Sequence, residues 1–148
     1  MALRKPLVLV NGQIQQIQSG DTLNATIAEV ESVSLTNSDA AASAVGEVFY
    51  LFGANSVKKA KADAVGTTRG MCFAVAVTAA AAIGTFQTSG VLAGLTGLTV
   101  GSVYYLSAAT GGAITATAPS TTGQYVQEVG QAISTTEMLI GLKAPILI

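Results

Sequence analysis

Histidine and tryptophan are absent, and Cys72 is the single cysteine. Without histidine the chain lacks the usual general base, the commonest metal ligand and the side chain that titrates near neutral pH. One cysteine builds neither a disulfide framework nor a thiolate zinc site. Charged residues make up 10% of the chain, where ordinary domains carry roughly a quarter. The formal charge of -1 leaves no basic footprint for nucleic acid. These absences argue against an enzyme and against a nucleic-acid binder. Long apolar runs are missing too. The longest, residues 71–83, is interrupted only by Thr78 and falls short of the roughly 20 residues that cross a bilayer. The start carries Arg4-Lys5 and a four-residue apolar stretch, but Asn11-Gly12 breaks it and no small-residue cleavage site follows. No secretory leader and no membrane anchor are expected.

What is present points to strands. The length of 148 residues suits one domain, and half of the residues are apolar. The apolar content is small or β-branched: 25 Ala and 16 Gly, with 15 Val, 9 Ile and 17 Thr, against four Phe and four Tyr. β-Branched side chains are stiff in helices and pack well on pleated surfaces. A mean hydropathy of +0.55 with so few charges leaves apolar area without enough polar surface to cover it. The expectation is that copies of the chain, or a partner, supply the cover.

Residues 1–23 read as an N-terminal arm or hairpin, with a β-like run at Leu7, Val8, Leu9 and Val10, a turn at Asn11-Gly12, and Ile14 and Ile17 among glutamines. Residues 24–148 read as a single β domain. Residues 27–35 form a strand, and Ala40-Ala41-Ala42 before Gly46 forms either one helical turn or a polar loop. The most informative feature is internal. Val45-Gly46-Glu47-Val48-Phe49-Tyr50-Leu51 returns 55 residues later as Val100-Gly101-Ser102-Val103-Tyr104-Tyr105-Leu106. The turns Gly66-Thr67-Thr68 and Thr121-Thr122-Gly123 repeat at the same offset; each leads into a β-like segment, 69–77 and 124–133, whose ends sit 56 apart, and a third element follows in each, 84–92 and 137–142. This gives two pseudo-repeats, 45–92 and 100–147. The fold class expected is all-β, a sandwich or barrel built from a duplicated β-meander with an extended N-terminal arm. Period two places Met71, Phe73, Val75 and Val77 on one face of 69–77 and Cys72, Ala74 and Ala76 on the other; both faces lack charge, so burial on both is expected. Residues 124–133 put Gln127 and Gln131 on the same face as Tyr125, Val129 and Ile133, which predicts a wetter side.

The search for chemistry returns little. Cys72 has no histidine to activate it and reads as a buried thiol. Glu29, Glu31, Glu47, Glu128 and Glu137 are scattered, and with Asp21, Asp39 and Asp63 they show no calcium-loop spacing. Gly94, Gly97 and Gly101 lack a Walker lysine and a following helix. Lys58, Lys59 and Lys61 are the one basic cluster, read as a solvated face or as a contact for an acidic partner surface. No catalytic residue, metal site or cofactor is expected.

Several segments carry a resemblance. Residues 90–99 running into Gly101-Ser102-Val103-Tyr104-Tyr105-Leu106-Ser107, together with residues 123–134, resemble a module of tailed-bacteriophage virion proteins. Residues 58–64 ahead of a strand are similar to capsid-decoration, or cement, proteins, and residues 5–15 resemble the N-termini of phage structural proteins, fibre-type ones included. The resemblance implies a non-enzymatic, β-rich homotrimer, made in the bacterial cytoplasm, that sits on the outer surface of the capsid and bridges neighbouring major capsid subunits without nucleic acid or membrane. The contact residues expected are Leu7, Val8, Leu9, Val10, Ile14 and Ile17 in the arm, then Pro145, Ile146, Leu147 and Ile148. The rival within the virion is a tail-fibre or tail-tip adaptor. A carbohydrate-binding module is a further rival, though the chain has no Trp and its tyrosines, Tyr50, Tyr104, Tyr105 and Tyr125, fall in expected strands.

Overall fold

The computed structural model describes the backbone of residues 7–10 and 13–16 and all of residues 31–148. Among the described residues there is no helix, and fourteen strands carry the fold. β1 (Leu7–Val10) and β2 (Gln13–Gln16) pair antiparallel, with Leu9 opposite Ile14. The body holds β3 (Ser32–Asn37), β4 (Val48–Gly53), β5 (Ser56–Lys59), β6 (Cys72–Ala74), β7 (Ile83–Gln87) and β8 (Val91–Leu92). It continues with β9 (Val103–Leu106), β10 (Ile114–Thr115), β11 (Tyr125–Val126), β12 (Glu128–Ala132), β13 (Met138–Ile140) and β14 (Ile146–Leu147).

The internal repeat is visible in the strand pairing. β5-β4-β6-β7 and β10-β9-β12-β13 follow the same order, and β3 stands to the first set as β8 stands to the second. In both sets the hairpin of the first two strands is followed by a third strand that returns to the far side of the first. The sets differ at one seam. β3 pairs antiparallel with β7 and also parallel with β5, Thr36 beside Ser56 and Asn37 beside Val57, which closes a five-stranded barrel. β8 pairs with β13 but not with β10, so the second sheet stays open.

Side-chain size explains the difference. The barrel encloses Phe49, Val57, Cys72, Ala74 and Phe86, with Phe49 and Phe86 edge to face at 5.1 Å. Fifty-five residues on, Gly112 stands for Val57, Gly141 for Phe86 and Gly90 for Leu35. The second set cannot fill a barrel of its own. The outer wall of the first barrel fills it instead: Val48, Ala60, Ala62 and Phe73 pack against Leu92, Leu95, Tyr104, Leu106, Val129 and Met138. Val48 donates to Gly112 O at 2.8 Å and Gly112 donates to Ala60 O at 2.7 Å, at the place where a closing strand would lie. Gly46, at φ +86°, passes this contact with no room for a Cβ beside the Leu95 side chain.

Of the two readings of residues 40–42, the loop is the one found; the Asn37 side chain holds it by donating to Ala41 O and Thr78 O at 3.0 Å. Other expectations need correction. The strand expected at 69–77 is only Cys72–Ala74, and those three residues are buried on both sides, whereas Val77 is 73% exposed. Backbone carbonyls of Ala74 and Ala76 are taken by Gly46 N and the Ser43 hydroxyl, so the chain leaves the sheet there. The third element of the first repeat splits into β7 and β8, because the Gln87 amide turns back onto Ser89 O and Val91 O. Gln127 is not on a wet face but buried. A register shift between Glu128 and Gly130 reverses the parity of the strand, so Gln127 and Val129 point in before it and Ala132 after it, leaving Gln131 and Ile133 exposed.

Candidate interaction surfaces

Several ionic groups are held by their neighbours in this body. Lys59 pairs with Glu47 at 2.7 Å, Lys61 with Asp63 at 2.7 Å, and Lys58 lies 3.7 Å over the Phe52 ring. All three lysines of the basic cluster, read from the sequence as a solvated face or as a contact for an acidic surface, thus have neighbours within the chain. The hydrogen bond from the Lys61 ammonium holds the Asp63 carboxyl below its ordinary value. The Asp39 carboxylate accepts from Lys59 N at 3.0 Å, and Glu137 accepts from the Ser134 hydroxyl at 3.3 Å. Among the described residues no group of three His, Cys, Asp or Glu side chains could hold a metal ion. Asp21 and Glu29 lie outside the described residues. Burial pushes the Cys72 thiol up to about 12, so it carries no thiolate near neutral pH.

Three surface features remain. The first is the C-terminal strand. β14 pairs antiparallel with β11, Leu147 opposite Tyr125, and is pinned by Ile148 N to Gln124 O and Gly123 N to Ile148 O. Ile146 is 66% and Leu147 60% exposed, with Ile148 exposed beside them and Pro145 half-buried. Of the arm residues expected to make contacts, Leu7, Val8, Leu9, Val10 and Ile14 lie on the β1–β2 hairpin, whose side chains are outside the described residues, as is Ile17 altogether.

The second feature is one that sequence reasoning missed. The barrel is open at one end, in a hollow of about 280 Å³ lined by Val33, Leu35, Leu51, Met71, Cys72 and Thr88. Its walls are apolar almost throughout. Leu51 on the rim is 53% exposed, and Val33 and Met71 are also exposed. The only sequence signal was the pair Leu51-Phe52 running into Gly53, two large apolar residues at a hairpin tip where polar ones are usual.

The third is a cleft of about 390 Å³ at the open seam, between residues 94–98 and residues 112–114, with Glu47 on its wall. Glycine backbone lines much of it, and the Glu47 carboxylate is already used by Lys59 and by Ala44 N at 2.7 Å. Tyr104 is buried with its hydroxyl accepting from Thr99 N, and Tyr50 and Tyr125 pack on the core. Apolar side chains are thus exposed at the barrel mouth and along β14. Comparison with protein-family models, with curated proteins and with solved structures finds no match to this chain.

Proposed function

We propose that this protein is a non-enzymatic structural component of a tailed-phage particle, a decoration protein that sits outside the head and bridges neighbouring major capsid subunits, with copies of itself as further partners. One observation carries the reading. Large apolar side chains stand in solvent along the body, among them Leu51, Phe52, Val77, Ile83, Val100, Ile146 and Leu147, in a chain only 10% charged. Surfaces of that kind mark interaction sites. The resemblance of residues 5–15, 58–64, 90–107 and 123–134 to phage virion proteins supplies the particle. The mechanism is mechanical: opening the shell also requires breaking the contacts each copy makes, and many symmetric copies add their effects without any single tight contact. Quantitative mass spectrometry of purified virions tests it. Copies comparable in number to the major capsid protein are expected. A few copies per particle would move the protein to a tail or vertex, and absence from particles would overturn the reading.

A further inference from the structure

We propose that the N-terminal strand β1 of one copy adds along the free side of β10 in a second copy, filling the cleft at the open seam. This deepens the structural reading above and rests on it for the claim that copies meet.

The cleft selects an extended backbone. In the first set β3 lies beside β5, the second strand of its hairpin. The same side of β10 has no strand beside it. Val48 and Ala60 take up Gly112, and the Ile114 end stays open. Ala113 O accepts from Ser107 N at 2.9 Å, and in a trans peptide the next N–H points the opposite way. The Ile114 N–H is thus directed away from β9 into the cleft that Ile114 lines. Its C=O follows by the alternation of an antiparallel pair. Across the cleft the N–H groups of Thr96 and Gly97 also have no partner among the described residues. Gly46, Gly94, Gly97 and Gly112 line the walls, so another backbone can come close.

β1 is the strand that needs such a place. It forms a sheet of two with β2, and these strands pair only with each other. An isolated hairpin is marginal in water, and a third strand supplies what it lacks. Two residues separate Val10 from Gln13, so that pair exchanges hydrogen bonds, and Leu7 and Leu9 turn their N–H and C=O groups to the outer edge. Leu9 therefore matches Ile114, donor to acceptor and acceptor to donor. Neither side brings free charge: residues 7–16 carry none, and the Glu47 carboxylate on the cleft wall is paired with Lys59.

The strand comes from another copy. Within one chain the outer edge of β1 and the free edge of β10 both stay unpaired. Fourteen residues, 17–30, join the hairpin to the body, a reach of up to roughly 46 Å. A body of this size is roughly 35 Å across, so the arm can span to a neighbour. Arm and cleft are different patches, which makes the contact heterologous; such contacts close into a ring when the rotation allows.

The test uses the full-length chain. Leu9→Pro removes an outward N–H and leaves the bonds between β1 and β2 in place. Thr96→Trp plugs the cleft from an exposed position. Each variant is checked for an unchanged thermal transition. Sedimentation equilibrium over about a hundredfold concentration range reads association. Each variant alone should associate at least about tenfold more weakly than the parent. An equimolar mixture should form a one-to-one heterodimer and nothing larger, because one intact arm and one intact cleft remain. Amide exchange gives a second readout: the Ile114 N–H should be protected at least about tenfold in the associated parent and should lose that protection in Leu9→Pro. A monomeric parent, an unprotected Ile114 amide in the assembly, full association of either variant, or no heterodimer in the mixture would overturn the proposal. Virion copy number is read independently, so failure here and failure of the phage reading are distinguishable.

Discussion

Gln127 ties together three stretches of backbone. Its amide nitrogen donates to Gly70 O and Lys143 O at 2.9 Å, and its oxygen accepts from Gly70 N at 2.9 Å. Replacing it with leucine removes these partners from Gly70 O and Lys143 O and leaves Gly70 N only Thr68 O at 3.2 Å, where an unsatisfied buried group costs about 1–3 kcal/mol. Gln127→Leu should therefore lose about 2–4 kcal/mol in urea unfolding, although the change is to a more hydrophobic residue. Cys72 behaves in the opposite sense. Its folded value is raised above the ordinary 9.0, so its contribution is complete below pH 9 and is lost as pH climbs toward about 12. By pH 10 the ionising unfolded thiol should have removed about 1.4 kcal/mol. Tyrosines and lysines titrate in the same range, so the comparison that isolates the effect is Cys72→Ala, whose stability should fall less between pH 8 and 10. A thiol reagent at pH 8 should label the native protein only on unfolding.

At the level of elements, the repeat was readable because it is written twice. Val48-Phe49-Tyr50-Leu51 and Val103-Tyr104-Tyr105-Leu106 fall on β4 and β9, and the offset of 55 carries β5, β6, β7 and β8 onto β10, β12, β13 and β14. Strand ends were less legible. Alternation in 69–77 continues past Ala74, but competing hydrogen bonds from Gly46 and Ser43 end the strand, and nothing in the alternation records them. The parity change at Glu128–Gly130 was equally hidden, since a bulge adds a residue without altering composition. Gly130 is its sequence mark. A Cβ there would meet Leu139 O at 2.5 Å and Met138 Cγ at 2.9 Å, backbone on one side and a buried side chain on the other. Gly130→Ala should cost about 2 kcal/mol or more, with the loss seen first as faster amide exchange in β12 and β13. The barrel mouth went unseen because it depends on which strands meet in space, and Val33, Leu51 and Met71 are far apart in the chain.

For the molecule as a whole, the two sets of strands share one core. Phe73 belongs to the barrel by its backbone and to the second sheet by its side chain. Phe73→Ala should cost about 3–5 kcal/mol and should lower both halves together, keeping one calorimetric transition with equal calorimetric and van't Hoff enthalpies. Two transitions would mean that the open sheet has a stability of its own.

The closed seam also bears on synthesis. All five barrel strands lie within residues 32–87, so the barrel can shut while the rest of the chain is still inside the ribosome. The later sheet has glycines where a filled interior would need bulk, and its inner face needs a wall that has already been built. Emergence from the N-terminus delivers the mould before the cast, an order suited to vectorial folding. A circular permutant that put residues 100–148 first would release the cast before its mould, and that chain should aggregate during translation even if its final fold were equally stable.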